Sequence, residues 1–226
     1  MSMDASNNGW LGVALSVLVL AGCTSKITDE DQYSGYLDRY DVLQPAVAAS
    51  GEPTLRWVAA DFSPAAFDTV LFDGLELYPA PRATDRINAN TFQQLQQSTN
   101  QAVVNALSSR YRVITTLQPT PAGARVLVLQ AAITGVSASP EGMRWYEVLP
   151  VTAVLGGISA ATGQRDQNTE LYVEAMLLDP HSHQPVVRAV RKVFGKKLAN
   201  DSVQISPADF TQAINALSSD LSGFIR

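Results

Sequence analysis

Thirteen consecutive residues without a charge, Trp10 to Gly22, close on the only cysteine of the chain, and this run decides what is left to fold. A helix needs roughly 20 apolar residues to cross a bilayer, so the run has the length of an export-signal core rather than of a membrane span. Leu20, Ala21, Gly22 and Cys23 end it as a lipobox. Small side chains before the cysteine let a peptidase approach the backbone, and the thiol is the lipid acceptor. The reading divides the chain into a lipoprotein signal peptide, 1–22, a lipidated flexible tether, 23–32, and a single periplasmic domain, 33–226. One feature departs from the pattern: no Lys or Arg precedes Trp10, where signal peptides open with positive charge. Either the α-amino group supplies that charge or translation starts elsewhere.

Acylation of Cys23 removes the one thiol, so the mature chain must fold without a disulfide, although the compartment permits one. The 204 residues after Gly22 are ample for one buried core. Several acyl chains, at about 0.8 kcal/mol per buried methylene, hold a protein far more firmly than one. Thr24 follows the cysteine in place of the Asp associated with inner-membrane retention, so the expected location is the periplasmic face of the outer membrane. The whole chain carries a net charge of −5 without a block of like charges, which gives no footprint for nucleic acid.

Hydrophobic period supplies the elements. Tyr36, Leu37, Tyr40 and Leu43 read as a short amphipathic helix or turn before Pro45. Residues 55–62 and 69–77 read as strands joined by a turn at Asp61 to Pro64. From Phe92 to Leu107 apolar residues recur at helical spacing, with Gln93, Gln94, Gln96, Gln97, Asn100 and Gln101 on the opposite face. Strands are expected over 111–116 and 124–136, the second apolar enough to be covered on both faces. The runs 170–178 and 186–194 flank a turn-rich connector and predict an antiparallel hairpin. Its Glu170, Glu174, Arg188, Arg191 and Lys192 read as cross-strand pairs serving register and solubility. Ser206, Pro207 and Asp209 supply a cap, a first-turn proline and a capping-box acid ahead of a helix through Phe224. The sum is an α+β fold, a single domain with a mostly antiparallel sheet and two amphipathic helices packed on one face.

Between the strands lies an uncharged stretch, 148–164, preceded by Trp145 and Tyr146. It reads as a short helix packed on the sheet, as a self-association surface where Gly156, Gly157 and Ala160 allow close approach, or as a membrane-inserting segment. Trp145, Tyr146, Leu149, Val154, Gly156 and Gly157 are the candidate interaction surface.

Ser34-Gly35-Tyr36-Leu37 with Tyr40 and Leu43, Leu55 to Val58, Phe67 to Leu71, Ala131 to Val136 and the hairpin entry Glu174 to Asp179 together resemble the bacterial lipoproteins catalogued as domain of unknown function 3313. The resemblance covers the chain from Tyr33 to the C-terminal helix. It implies a lipoprotein and no established activity.

Catalytic signatures are missing. The sequence holds no HExxH, GxSxG, P-loop or GxGxxG, and no serine stands three residues before a lysine. His181 and His183 with Asp179 make too loose a set for a metal, so no metal or cofactor is expected. Glycan cleavage needs only two carboxylates at a set separation, and Asp61, Asp73, Glu76, Asp85, Glu141 and Glu147 are the candidates. The expectation is a non-enzymatic envelope accessory protein acting by contact with an envelope partner or a second copy. A carrier of an apolar ligand is the alternative, and a glycan hydrolase comes third.

Overall fold

A computed structural model describes residues 26–116, 123–139, 167–199 and 202–225. The lipobox with Cys23, the candidate surface Trp145, Tyr146, Leu149, Val154, Gly156 and Gly157, and the carboxylates Glu141 and Glu147 lie outside the described residues.

Among the described residues, eight strands form one sheet: β1 (Gln44–Val47), β2 (Pro53–Val58), β3 (Thr69–Leu71), β4 (Glu76–Leu77), β5 (Arg112–Ile114), β6 (Val126–Ser139), β7 (Gln167–Asp179) and β8 (Gln184–Leu198). The order across it is β1-β2-β8-β7-β6-β3-β5, with β4 also beside β6. Its centre is the expected antiparallel hairpin β7–β8 flanked by β6. The mostly antiparallel expectation needs correction at the other edge, where β3 runs parallel to both β5 and β6, and β4 parallel to β6. The sheet is mixed, and the class is broadly α+β. The physical reason is the long helix between β4 and β5: parallel neighbours need a crossover of a dozen or more residues, and a helix provides it.

That helix, α1 (Ala89–Ser108), starts where the Asn88 side chain accepts from the Thr91 amide at 2.9 Å. Gln96 and Asn100, assigned to the water-facing side by composition, instead bind the backbone of Leu75, Gln96 donating to its carbonyl and Asn100 accepting from its amide. The chain between β3 and β4 turns at Gly74, φ +116°, a conformation that glycine adopts without penalty. At the C-terminus Ser206 donates through its amide and hydroxyl to the Asp209 carboxylate, both at 2.8 Å. Pro207–Phe210 then makes a 3-10 turn that leads into α2 (Thr211–Phe224).

The main core joins apolar residues of both helices with Leu127, Leu129, Leu171, Leu177, Val187 and Val193 of the long strands. A second, smaller cluster lies on the other side of β7 and β8. There Leu37, with Tyr33, Tyr36, Tyr40 and Leu43, packs against Leu55, Met176 and Val190. Tyr36 to Leu43 is a series of bends and turns, not a helix. Packing begins earlier than composition implies: within the stretch read as a flexible tether, Thr28 and Gln32 are buried. Gln32 is held because its amide donates to the Tyr172 hydroxyl at 3.1 Å.

Candidate functional site

Register creates a cavity over the middle of the sheet. Ala131 of β6 lies opposite Ala175 of β7, Ala175 opposite Ala189 of β8, and Ala189 opposite Arg56 of β2. Side chains on one face repeat every second residue, so the rows on either side are Leu129, Leu177, Val187 and Ile133, Val173, Arg191. Three methyl groups in line between taller side chains leave a trough. Thr99 and Val103 of α1 and Leu217, Leu221 and Phe224 of α2 complete the lining of about 160 Å³ of space that is partly open to solvent. Cavities of about 150 Å³ lined by aliphatic and aromatic side chains stay dry and accept benzene-sized hydrophobes.

Charge is confined to one end. Arg191 and Asp220 line the cavity as an ion pair, 2.9 Å apart and 9% and 12% exposed. Arg191 also donates to the carbonyls of Pro53 and Lys192, which helps satisfy the guanidinium, while its bond to Asp220 ties α2 to β8. Arg56 is half-buried, its guanidinium 5.1 Å from the centre of the Phe224 ring. Among the described residues it has no carboxylate partner.

The opposite face holds a buried polar network beneath the N-terminal segment. Glu170 accepts from the Tyr172 hydroxyl at 2.6 Å and from Ser137 at 3.1 Å, and lies 3.4 Å from the Lys192 ammonium. Glu174 accepts from the Ser34 amide at 2.9 Å and from the Tyr40 hydroxyl. Arg188 grips Asp38 through two bonds of 2.7 and 2.6 Å. Burial, reinforced by Glu170, pushes the Tyr172 hydroxyl well above the usual phenol range. Burial first and the Glu174 carboxylate second push Tyr40 up to about 12. The hairpin charges are therefore buried fasteners, not solubility features, and only Lys192 with Glu170 makes the expected diagonal pair across β7 and β8.

The other carboxylate candidates are not brought together. Asp61 follows β2, Asp73 lies between β3 and β4, Glu76 is on β4 and Asp85 precedes α1; all are exposed and none lines the cavity. His181 and His183 are exposed in the β7–β8 turn, and among the described residues no group of three or more His, Cys, Asp or Glu could hold a metal. Likewise, no helix among them is long and apolar enough to cross a membrane. Sequence reasoning missed Arg56, Ala131, Ala175 and Ala189. The signal was an alanine inside each of three strong strands, which has meaning only once the register aligns them.

The sequence matches the family model described as "Protein of unknown function (DUF3313)" over residues 32–221. It is 36% identical over 208 residues to the "Uncharacterized lipoprotein YdcL" of Escherichia coli K12, covering 92% of this chain and 91% of that one. The chain of the same name from Escherichia coli O157:H7 gives the same figures. Among solved structures, a PelC dodecamer from Paraburkholderia phytofirmans overlaps at TM-score 0.39 and 13% identity, over 74% of this chain and 96% of that one. A neuraminyllactose-binding hemagglutinin homolog from Helicobacter pylori overlaps at TM-score 0.38 and 11% identity, over 73% and 83%. Overlaps this loose do not bear on function.

Proposed function

The chain belongs to the DUF3313 family, and on that premise we propose that it is a lipid-anchored envelope lipoprotein that works by binding rather than by catalysis, holding an apolar ligand between its sheet and helices. The lipoprotein name of its relative and the lipobox at Leu20 to Cys23 support an anchor on Cys23, with the periplasmic face of the outer membrane as its place. The cavity over Ala131, Ala175 and Ala189 carries the binding assignment. That α1 and α2 both contribute lining residues supports their lying on one face of the sheet.

Apolar walls with few polar groups at one end are the usual form of a small-molecule site. The buried carboxylates speak for binding as well, because Glu174 spends its oxygens on fastening the N-terminal segment and Glu170 is engaged by Tyr172, Ser137 and Lys192. Contact with an envelope partner through Trp145, Tyr146 and the 148–164 stretch is the second reading, favoured by the absence of charge there.

Native mass spectrometry of the mature chain carrying Cys23→Ser, with uptake of the neutral dye N-phenyl-1-naphthylamine, tests the first reading. The expected result is a bound apolar mass or dye uptake that Ala189→Leu abolishes. A chain that carries no mass and takes up no dye, or whose uptake is indifferent to Ala189→Leu, would overturn it.

A further inference from the structure

We propose that the cavity takes a single-chain fatty carboxylate, with its hydrocarbon over the alanine row and its carboxylate on Arg56; this rests on the apolar-ligand reading above and names the ligand class for the same site.

Shape comes first. The row runs from Ala131 across Ala175 and Ala189 to Arg56, three strand spacings, or about 14 Å. It is a linear trough, apolar along its length and cationic at one end. A volume of about 160 Å³ in a trough that is partly open to solvent suits one hydrocarbon chain and not the paired chains of a phospholipid.

Charge then selects the head group. Arg191 and Asp220 neutralise each other at the cavity wall, and Asp220 also accepts from the Ser50 amide. Arg56 remains as the cation without a counterion among the described residues. Its guanidinium meets the Phe224 ring, an arrangement that uses attraction to the ring face and no hydrogen-bonding edge. A guanidinium fork matches a carboxylate with two parallel bonds, stronger than those between neutral groups. A cationic amphiphile would meet repulsion at the same place, and a neutral one would leave the fork unused.

The test is displacement of N-phenyl-1-naphthylamine from the mature Cys23→Ser chain by dodecanoate, dodecanol and dodecyltrimethylammonium, each below its micelle concentration. Thermal unfolding is measured in parallel to establish that each variant is folded. Dodecanoate is expected to bind about tenfold or more tightly than dodecanol, with the ammonium compound weakest. Arg56→Gln should erase the preference for dodecanoate while leaving dodecanol where it was, Arg56→Lys should restore part of it, and Ala189→Leu should weaken both ligands. Equal affinities for acid and alcohol, or a preference that survives Arg56→Gln, would overturn the head-group assignment and leave the apolar-ligand reading standing. Failure of every amphiphile to displace the dye would remove both.

Discussion

The hydroxyl of Tyr40 donates to Oε2 of Glu174, 134 positions later in the chain. Glu174 is 1% exposed and has as its other hydrogen-bond donor the Ser34 amide, so one carboxylate gathers two points of the N-terminal segment. Leaving a buried partner unsatisfied costs about 1–3 kcal/mol. Tyr40→Phe and Glu174→Ala should each lower stability by about that amount, and Glu174→Gln by less, because its amide oxygen still accepts. Urea denaturation of the three variants checks the order; a Glu174→Ala protein as stable as the parent would show that the bond contributes nothing.

The Arg188 guanidinium bonded to Asp38 holds that carboxyl below the usual aspartate range. With a folded value below the unfolded one of about 3.9, the pair's stabilisation is complete above that pH and fades as the pH falls through the folded value. Asp38 is half exposed, with 51% of its side chain accessible, so solvent screening keeps the contribution below about 1 kcal/mol. The difference in urea midpoint between the parent and Asp38→Asn should be constant from about pH 7 to pH 5 and shrink below about pH 4.

Filling the trough should not hurt the fold. Ala175→Val adds two methyl groups where α1 and α2 leave room, and cavity-filling changes commonly add about 0.5–2 kcal/mol. Thermal unfolding should show an unchanged or raised midpoint. A loss in the range of about 1–3 kcal/mol typical of overpacking would mean that the row has no space to spare.

Gly195 tests a different constraint. A Cβ there would stand 2.2 Å from the Asp209 carbonyl oxygen and 2.5 Å from the Thr169 hydroxyl, so Gly195→Ala must push the turn before α2 off β8. The expected destabilisation is about 1–3 kcal/mol. Gly51→Ala, with φ +83° but nothing within 4 Å of the added carbon, should cost only the backbone strain, about 1 kcal/mol.

Cys23→Ser should release the protein from the membrane fraction, because the anchor is assigned to that thiol alone. Fractionation of cells expressing the parent and the variant reads this directly; a variant that still sediments with membranes would place the attachment elsewhere.

Local signals made much of this molecule legible. The β7–β8 hairpin, the capped start at Ser206 and the amphipathic α1 follow from turn chemistry and hydrophobic period, which act within a few residues. Pairing between distant segments was less accessible. β3 is only three residues long, and its parallel neighbours are chosen by the crossover through α1 rather than by anything in Thr69–Leu71 itself. Glu170 and Glu174 alternate with apolar neighbours and so resembled a wetted sheet face. Glu174 is buried beneath Ser34 and Tyr40, more than a hundred positions earlier, and Glu170 among Ser137, Tyr172 and Lys192. The cavity was hidden for the same reason, since Ala131, Ala175 and Ala189 are unremarkable singly and form a floor only when three strands align.

The N-terminal segment also has a mechanical meaning. Its fasteners fall in order along β7 and β8: Gln32 on Tyr172, Ser34 on Glu174, then Asp38 on Arg188, which lies opposite Met176. A pull from the lipid end would load them lengthwise, in shear, so that they share the force instead of opening one after another. With only Thr24 and Ser25 between Cys23 and Lys26, three residue steps or about 10 Å of chain at full stretch, an anchored molecule would stand on the bilayer with little slack and a set orientation.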